Sequence, residues 1–377
     1  MADPKPINPK VQAALDDLQR AYKANPRKAP QPEPDRKPAL PTAISKPSAP
    51  AKSLTINHGP QLLGDLPLFK QIAAAAHITP SAAELIEIGT AIQQHPATID
   101  NAAYMHVVLC HIGMPRSRQK GRVFERRYDR PNFRYALRIE AGSLWNGKEF
   151  QEHPLPFGTK PRLVLLDLLT TAIRTKSRFV DAGHSQRDYM MRIGIDPQGS
   201  EYRSFKTQTS ALAATRMKLG MTYPTGRILD IDTKPIKTFE AWLAPPSGTQ
   251  QTLWPGVFEL SPDFYDGLAG ALVPVDERAA FALDGALEMD IYFWLAQRLC
   301  RITDPKGQFI TWHAIKEQFA PEYKHLRSFK QEFLKALKQV LLVYRDARVD
   351  PEKDPSGIWL NPSKPPIPKT SVPVLPR

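Results

Sequence analysis

The sequence predicts a mainly helical α+β chain in which a helix–turn–helix–hairpin unit occurs twice between disordered proline-rich tails. Three observations carry this: the uneven placement of the 38 prolines, the alternation of helical and strand-like apolar periods between them, and the return of one element order in the second half. A length of 377 residues suits two folded domains, and an apolar fraction of 42% is enough for sizeable cores.

Eleven of the prolines fall in the first fifty residues, interleaved with Lys, Ala and Asp. Such a stretch cannot bury enough apolar surface to offset the entropy of ordering, so residues 1–75 read as a basic tail with one short helical patch at 11–22. Residues 361–377 are again proline-rich and extended. Between the tails, 81–94 is an amphipathic helix capped by Thr79 or Ser81, and 133–140 alternates like a strand. A buried helix at 160–174, a short strand at 178–181, and helices at 184–193 and 201–219 follow. A hairpin of 227–231 with 236–242 turns at Lys234-Pro235. The Pro245-Pro246-Ser247-Gly248 break reads as a linker, dividing a first domain (76–247) from a second (248–360). Downstream come a strand at 257–260, helices at 276–283 and 287–302, a short strand at 309–310, helices at 312–319 and 325–341, and a hairpin over 342–360 with its tip at 350–357. Helix, turn, helix, hairpin has then appeared twice, which is the winged helix-turn-helix plan.

Charge names the partner. Lys plus Arg number 51 against 38 Asp plus Glu, a net +13, so a polyanion is the expected partner. Two cysteines exclude a disulfide scaffold. The first residues hold no apolar leader and no window reaches 18 apolar residues, so a soluble intracellular chain with no membrane partner is expected.

On the helix at 325–341, Leu326, Phe329, Phe333, Leu337, Val340 and Leu341 form one apolar stripe. Lys324, Arg327, Lys330, Gln331, Lys335 and Lys338 occupy the rest, with Glu332 the one acid. Cations there neutralise phosphates, while Arg327 and Gln331 have the reach for base edges. Arg345 and Arg348 extend this set along the hairpin. The corresponding upstream helix offers Arg203, Lys206, Thr207, Gln208 and Ser210, then Arg216 and Lys218; its face suits a second recognition helix or a partner surface equally.

The densest basic run is 116–138, with nine cations against two acids, among them Arg116, Arg118, Lys120, Arg122, Arg126, Arg127 and Arg130. Phe124, Tyr128, Phe133 and Tyr135 are interleaved, a mixture that suits backbone neutralisation and stacking on an exposed base; a basic loop of non-specific attraction is the alternative. Residues 259–290 carry eight acids and one base, Arg278, and are expected to face solvent, the other domain or a second copy.

Catalytic signals are poor, and no enzymatic activity and no cofactor are expected. The phosphate-binding loop G-x-x-x-x-G-K-[ST] is absent, as are G-x-G-x-x-G and any His-x-His pair for a nicking nuclease. His106, Cys110 and His111 have helical spacing, but three ligands without a fourth read as buried structure, and no metal site is expected. Asp65-Leu66-Pro67-Leu68-Phe69 resembles the Q-L-x-L-F peptide that bacterial replication proteins insert into the sliding clamp, with Asp65 where Gln is usual. Leu66, Leu68 and Phe69 are therefore candidate clamp contacts, with an apolar strap as the structural alternative.

Three stretches together carry a family resemblance: F-G-x-K-P-R-L at 157–163, S-x-x-F-Y…V-P-V-D at 261–276, and D-I-Y-x-W-L-A-x-R-L at 290–299, set in the longer segments 155–178, 190–219 and 260–301. They resemble plasmid-encoded RepA replication initiators, particularly those of the broad-host-range W-incompatibility type, over roughly residues 153–360. The resemblance implies a cytoplasmic bacterial protein with two winged-helix domains. It would bind direct repeats (iterons) at a plasmid origin and help melt adjacent AT-rich DNA, and the basic aromatic stretch 116–135 is then the expected holder of the released single strand. Host helicase, host initiator and sliding clamp would supply the enzymatic work, with monomers active and a homodimer self-repressing. A transcriptional repressor of the same architecture, without strand opening, is the alternative reading. The strand at 133–140 is the expected dimer edge.

Overall fold

The computed structural model describes residues 80–119, 126–132, 134–183, 185–240, 256–268 and 270–368. The tail patch at 11–22 and the peptide at 65–69 lie outside them. The first described helix, α1 (Pro80–Gln94), is followed by strand β1 (Ala102–His106) and a short helix α2 (Val107–His111). Next come β2 (Arg127–Asn132), β3 (Tyr135–Glu140), and the hairpin of β4 (Ser143–Trp145) with β5 (Phe150–Glu152). The first repeated unit holds α3 (Thr159–Thr175), β6 (Phe179–Asp181), α4 (Gln186–Arg192) and α5 (Gly199–Ala214). It then passes through β7 (Arg216–Thr222) and β8 (Ile228–Thr233) before closing with β9 (Ile236–Glu240) and β10 (Val257–Leu260).

After α6 (Pro262–Asp266), β11 (Leu272–Asp276) and α7 (Glu277–Ala282) the order recurs. The second unit is α8 (Ala286–Arg298), β12 (Gln308–Thr311), α9 (Trp312–Phe319), α10 (Leu326–Val343), β13 (Val349–Asp350) and β14 (Gly357–Leu360). Its sheet runs β12-β14-β13, and the first unit's runs β6-β10-β9; in each, the last strand lies between the other two. Helix and strand share the fold, with fourteen strands in five sheets among the described residues.

Four local expectations are corrected. The helix expected over 201–219 stops at Ala214, because Thr215 is extended (φ −75°, ψ 141°). From there the pattern alternates: Met217 and Leu219 are buried while Arg216 and Lys218 face outward. The hairpin of 227–231 with 236–242 does not form, because its arms join different sheets: β8 pairs with β7 (Leu219↔Ile231), and β9 pairs with β10 (Phe258↔Phe239). The Pro-Pro-Ser-Gly break therefore joins two paired strands, although residues 241–255 themselves lie outside the described set. Finally, β3 is no free edge: it sits between β2 and β7 in the sheet β2-β3-β7-β8.

The division expected at 247/248 falls between those two paired strands. A second pairing also bridges it, since β1 lies antiparallel to β11 with Ala102↔Asp276 and His106↔Leu272 in register. All five residues of β1 are buried. One apolar cluster extends from Leu85 of α1 through Leu165 and Phe205 of the first unit to Trp294, Phe333 and Ile358 of the second.

Candidate nucleic-acid interface

α10 forms because Phe329, Phe333, Leu337, Val340 and Val343 make one buried stripe, packed edge-on against Trp312 and Phe319 of α9. The opposite side presents Arg327, Gln331, Lys335 and Lys338, with Lys324 just before the helix; all are exposed. Their spacing of three, four, four and three keeps them on one stripe about 20 Å long. Among the described residues none of these four cations makes an ion pair. Glu332, the acid of this helix, is engaged by the Tyr323 hydroxyl.

Two other candidates are spent on structure. Lys330 Nζ lies 4.8 Å above the Trp312 ring and donates to the Pro355 carbonyl at 3.3 Å, so it supports the β13–β14 connection. Arg345 turns to α1, donating to Gln93 Oε1 (3.2 Å), Ile86 O (2.9 Å) and Thr90 Oγ1 (2.8 Å). Arg348 is exposed beside β13, its backbone N–H held by Ser363 Oγ at 2.9 Å. Asp350 and Asp354 at the connection tip accept from backbone N–H groups of Glu352, Lys353 and Ser356 and so set the turn.

In α5 the first half is open, with Arg203, Lys206 and Thr207 exposed. Its second half is core. Ser210 is 4% exposed and cannot reach a ligand, and Gln208 Oε1 accepts the Phe157 N–H at 2.7 Å. Arg216 and Lys218, now on β7, both pair with Asp232 of β8 at 2.7 Å. Hydrogen bonds from those two cations hold the Asp232 carboxyl down at about 2.

The basic run is where sequence and structure differ most. Arg116 and Arg130 converge on Glu322 in the α9–α10 turn, at 2.7 and 2.8 Å, with side chains 16% and 19% exposed. Burial pushes the Glu322 carboxyl up, but hydrogen bonds from Arg116 and Arg130 outweigh it and leave the group below its ordinary value. The aromatics are committed too: the Tyr128 hydroxyl donates to Gly113 O at 3.1 Å, and the Tyr135 ring stacks on His111 at 4.0 Å. Arg126 donates to the carbonyls of His153 and Ala141, both at 3.1 Å, and pairs with Glu152. Arg127 pairs with Asp129 at 2.6 Å. Arg118 is exposed and, among the described residues, has no ion-pair partner. Lys120, Arg122, Phe124 and Phe133 lie outside the described residues, as do Leu66, Leu68 and Phe69.

The histidine–cysteine set is core. His106 ends β1 and caps α2, its Nδ1 accepting the Val108 N–H at 3.2 Å. Burial lowers both His106 and His111 to about 4, with Arg298 and Arg301 adding to the effect on His111. Among the described residues no cluster of three metal-ligating side chains occurs. The acids of 259–290 divide: Glu259 takes Lys237 at 3.1 Å, Asp276 takes Arg278 at 2.7 Å and Asp290 takes Arg162, whereas Asp263, Asp266 and Asp284 are exposed.

That last pair joins two of the sequence stretches quoted above. Arg162 of α3 and Asp290 of α8 are 3% and 6% exposed, bonded through Nε–Oδ1 at 2.7 Å and Nη2–Oδ2 at 2.8 Å. Asp276 meets the same helix, its backbone N–H bonding Tyr292 Oη at 2.9 Å. The three stretches are thus one packed junction between α3, β11 and α8. Residues 155–314 match the family model for "Plasmid encoded RepA protein". The resemblance holds over that region, which contains Arg162, Asp276 and Asp290; α10 and its hairpin lie beyond it. Two crystal structures of RctB domains 2 and 3 are similar in fold at 12% identity and a TM-score of 0.40 each. One, a selenomethionine derivative, covers 62% of this chain and 82% of its own; the other covers 66% and 84%. No curated protein sequence matches the chain. Among the described residues no helix is long and apolar enough to cross a membrane.

Sequence reasoning missed Trp145 and Phe150, which are 56% and 71% exposed on the β4–β5 hairpin. The Asn146-Gly147 pair in the four-residue connection between them is a turn signal and would have found it.

Proposed function

We propose that this chain is a plasmid replication initiator whose two repeated units are winged-helix modules reading origin repeats. The observation that supports the reading is the cationic stripe on α10, which makes no ion pair among the described residues and lies on the second of two successive helices beside a three-stranded sheet. Such a helix places its first turns in the major groove, where Arg327 and Gln331 reach guanine or adenine edges and Lys324, Lys335 and Lys338 take phosphates. The open half of α5, with Arg203, Lys206 and Thr207, is the counterpart in the first unit. Binding energy comes mainly from counterion release and specificity from a few base contacts. Deformation of the repeats then feeds strain into neighbouring AT-rich DNA. Host helicase, initiator and clamp perform the enzymatic steps, the clamp through the peptide at 65–69, and a dimer of the chain limits its own activity.

The test is affinity for a duplex of origin repeats against scrambled duplex at two salt concentrations. A preference on the order of a thousandfold or more is expected. Arg327→Ala with Lys335→Ala is expected to remove most of that preference and lower the salt slope by about 1 to 2. Equal, steeply salt-dependent binding of both duplexes by the natural chain would overturn the reading.

A further inference from the structure

Two features on one hairpin lie outside the duplex-reading helices. At its tip, Trp145 and Phe150 face each other across β4 and β5 with ring centroids 5.3 Å apart, both largely in solvent. The tip is stiff: Asn146 Oδ1 accepts the N–H groups of Lys148 and Glu149, each at 2.9 Å, and Gly147 takes φ 95°, which a side chain would oppose. Aromatic side chains on a braced turn lose less freedom than those on a mobile loop when a flat ring stacks on them.

At the other end of β5 a cleft of about 370 Å³ opens, lined by Arg118, Arg126, His153, Leu155, Phe157 and Thr207. Its floor is apolar, its rim carries two guanidinium groups, and Thr207 belongs to the exposed half of α5. Glu152, the acid in its wall, is neutralised by Arg126. Phe150 and Glu152 of the cleft wall are two residues apart on β5, on one face of the strand and about 7 Å along it. The hairpin therefore aligns an aromatic platform, a cationic rim and a small apolar pocket in one row that ends beside α5.

We infer that this row is a track for single-stranded nucleic acid: one base stacks on Trp145 and Phe150, the backbone passes Arg126 and Arg118, and a neighbouring nucleotide enters the cleft. A polymer that alternates flat apolar rings with regularly spaced anions matches both features, whereas a peptide or a second copy of the chain would use the aromatic tip and leave Arg118, which makes no ion pair among the described residues, without a counter-charge. The inference deepens the origin-binding reading, since the track begins at α5 and would receive a strand released next to a bound repeat. Of the segment at 116–135 it keeps Arg118 and Arg126 but not the described aromatic rings, which are packed, nor Arg116 and Arg130, which are held by Glu322.

The test uses the full chain and a fluorescent oligothymidylate of about 15 nucleotides. Trp145→Ala with Phe150→Ala is expected to weaken oligonucleotide binding at least fivefold to tenfold, about 1 kcal/mol or more per stacked base, and to leave duplex-repeat affinity within about twofold. Trp145→Phe is expected to keep most of the affinity while losing the part of the tryptophan quench that the oligonucleotide causes. Arg118→Ala should add a further loss with a shallower salt slope. Unchanged oligonucleotide affinity in the double alanine variant overturns the inference. So does a natural chain that self-associates through this tip, shown by sedimentation of a monomeric double variant with intact oligonucleotide binding. The duplex arm is read separately with Arg327→Ala and Lys335→Ala: loss of duplex preference with oligonucleotide binding retained concerns α10 alone.

Discussion

Asp290→Ala is the sharpest perturbation of the junction between the two units. In the natural chain the Arg162 guanidinium gives two bonds to Asp290, at 2.7 and 2.8 Å. It gives three more to the carbonyls of Gly158 (2.6 Å), Pro115 (3.2 Å) and Met114 (2.6 Å). Truncation removes the two charge-assisted bonds, each worth about 1.5–3 kcal/mol, and leaves a cation that is 3% exposed without its counter-ion. The expected loss is about 3–5 kcal/mol, the usual cost of breaking a buried pair from one side. Against a total of roughly 5–15 kcal/mol that is a large share. Urea unfolding followed by tryptophan fluorescence measures it, as a drop in midpoint of about 1 M or more at a slope near 3 kcal/mol/M. Arg162→Met combined with Asp290→Leu should recover most of the loss, because no charge is then left buried. A single-variant loss below about 1 kcal/mol would refute the reasoning, since it would mean that water or another acceptor reaches the guanidinium.

Three further outcomes follow from the same structure. Arg345→Ala is expected to lower the thermal midpoint by detaching α1, with duplex affinity unchanged within about twofold; a selective loss of DNA binding would return this residue to the interface. His106 and His111 sit near 4 in the fold against an ordinary 6.5, so the unfolded chain takes up protons first as the medium is acidified. Stability should therefore fall between pH 6.5 and 4, by about 1.4 kcal/mol per pH unit for each histidine, and a midpoint flat over that range would show that the rings are reached by water. Glu322 is depressed by its arginines, so its contribution is complete above its ordinary value and fades as pH falls below it. The Glu322→Gln chain should accordingly melt lower than the natural one at pH 7, by no more than about 1 kcal/mol because the carboxylate is half exposed. The two chains should converge as the pH falls well below the ordinary glutamate value.

Much of the second unit was legible because its signals are local. α9 begins and ends where expected, and α10 shows a full apolar stripe over five turns, with the connection at 351–356 marked by turn residues. β7 was not legible, since its seven residues follow a helix without a glycine or proline to stop it. β1 was missed because a strand buried on both faces has no alternation to read, and its partner β11 lies about 170 residues downstream. The site shows the same limit. Free and committed arginines look alike in a sequence; what separates Arg118 from Arg116 is Glu322, some two hundred residues away. The cationic side of α10 was readable because, among the described residues, no distant acid forms an ion pair with it.

The closing strand β10 has a practical consequence. The Pro-Pro-Ser-Gly stretch before it invites a cut, yet a cut there separates β9 from the strand it pairs with, and β10 also holds β6. Fragments ending and beginning in 241–255 would each carry an open sheet edge and half of a shared apolar cluster. They would behave as two complementing pieces that must meet to fold rather than as two proteins. Protease nicking in this segment should then leave a complex that elutes whole and falls apart in denaturant.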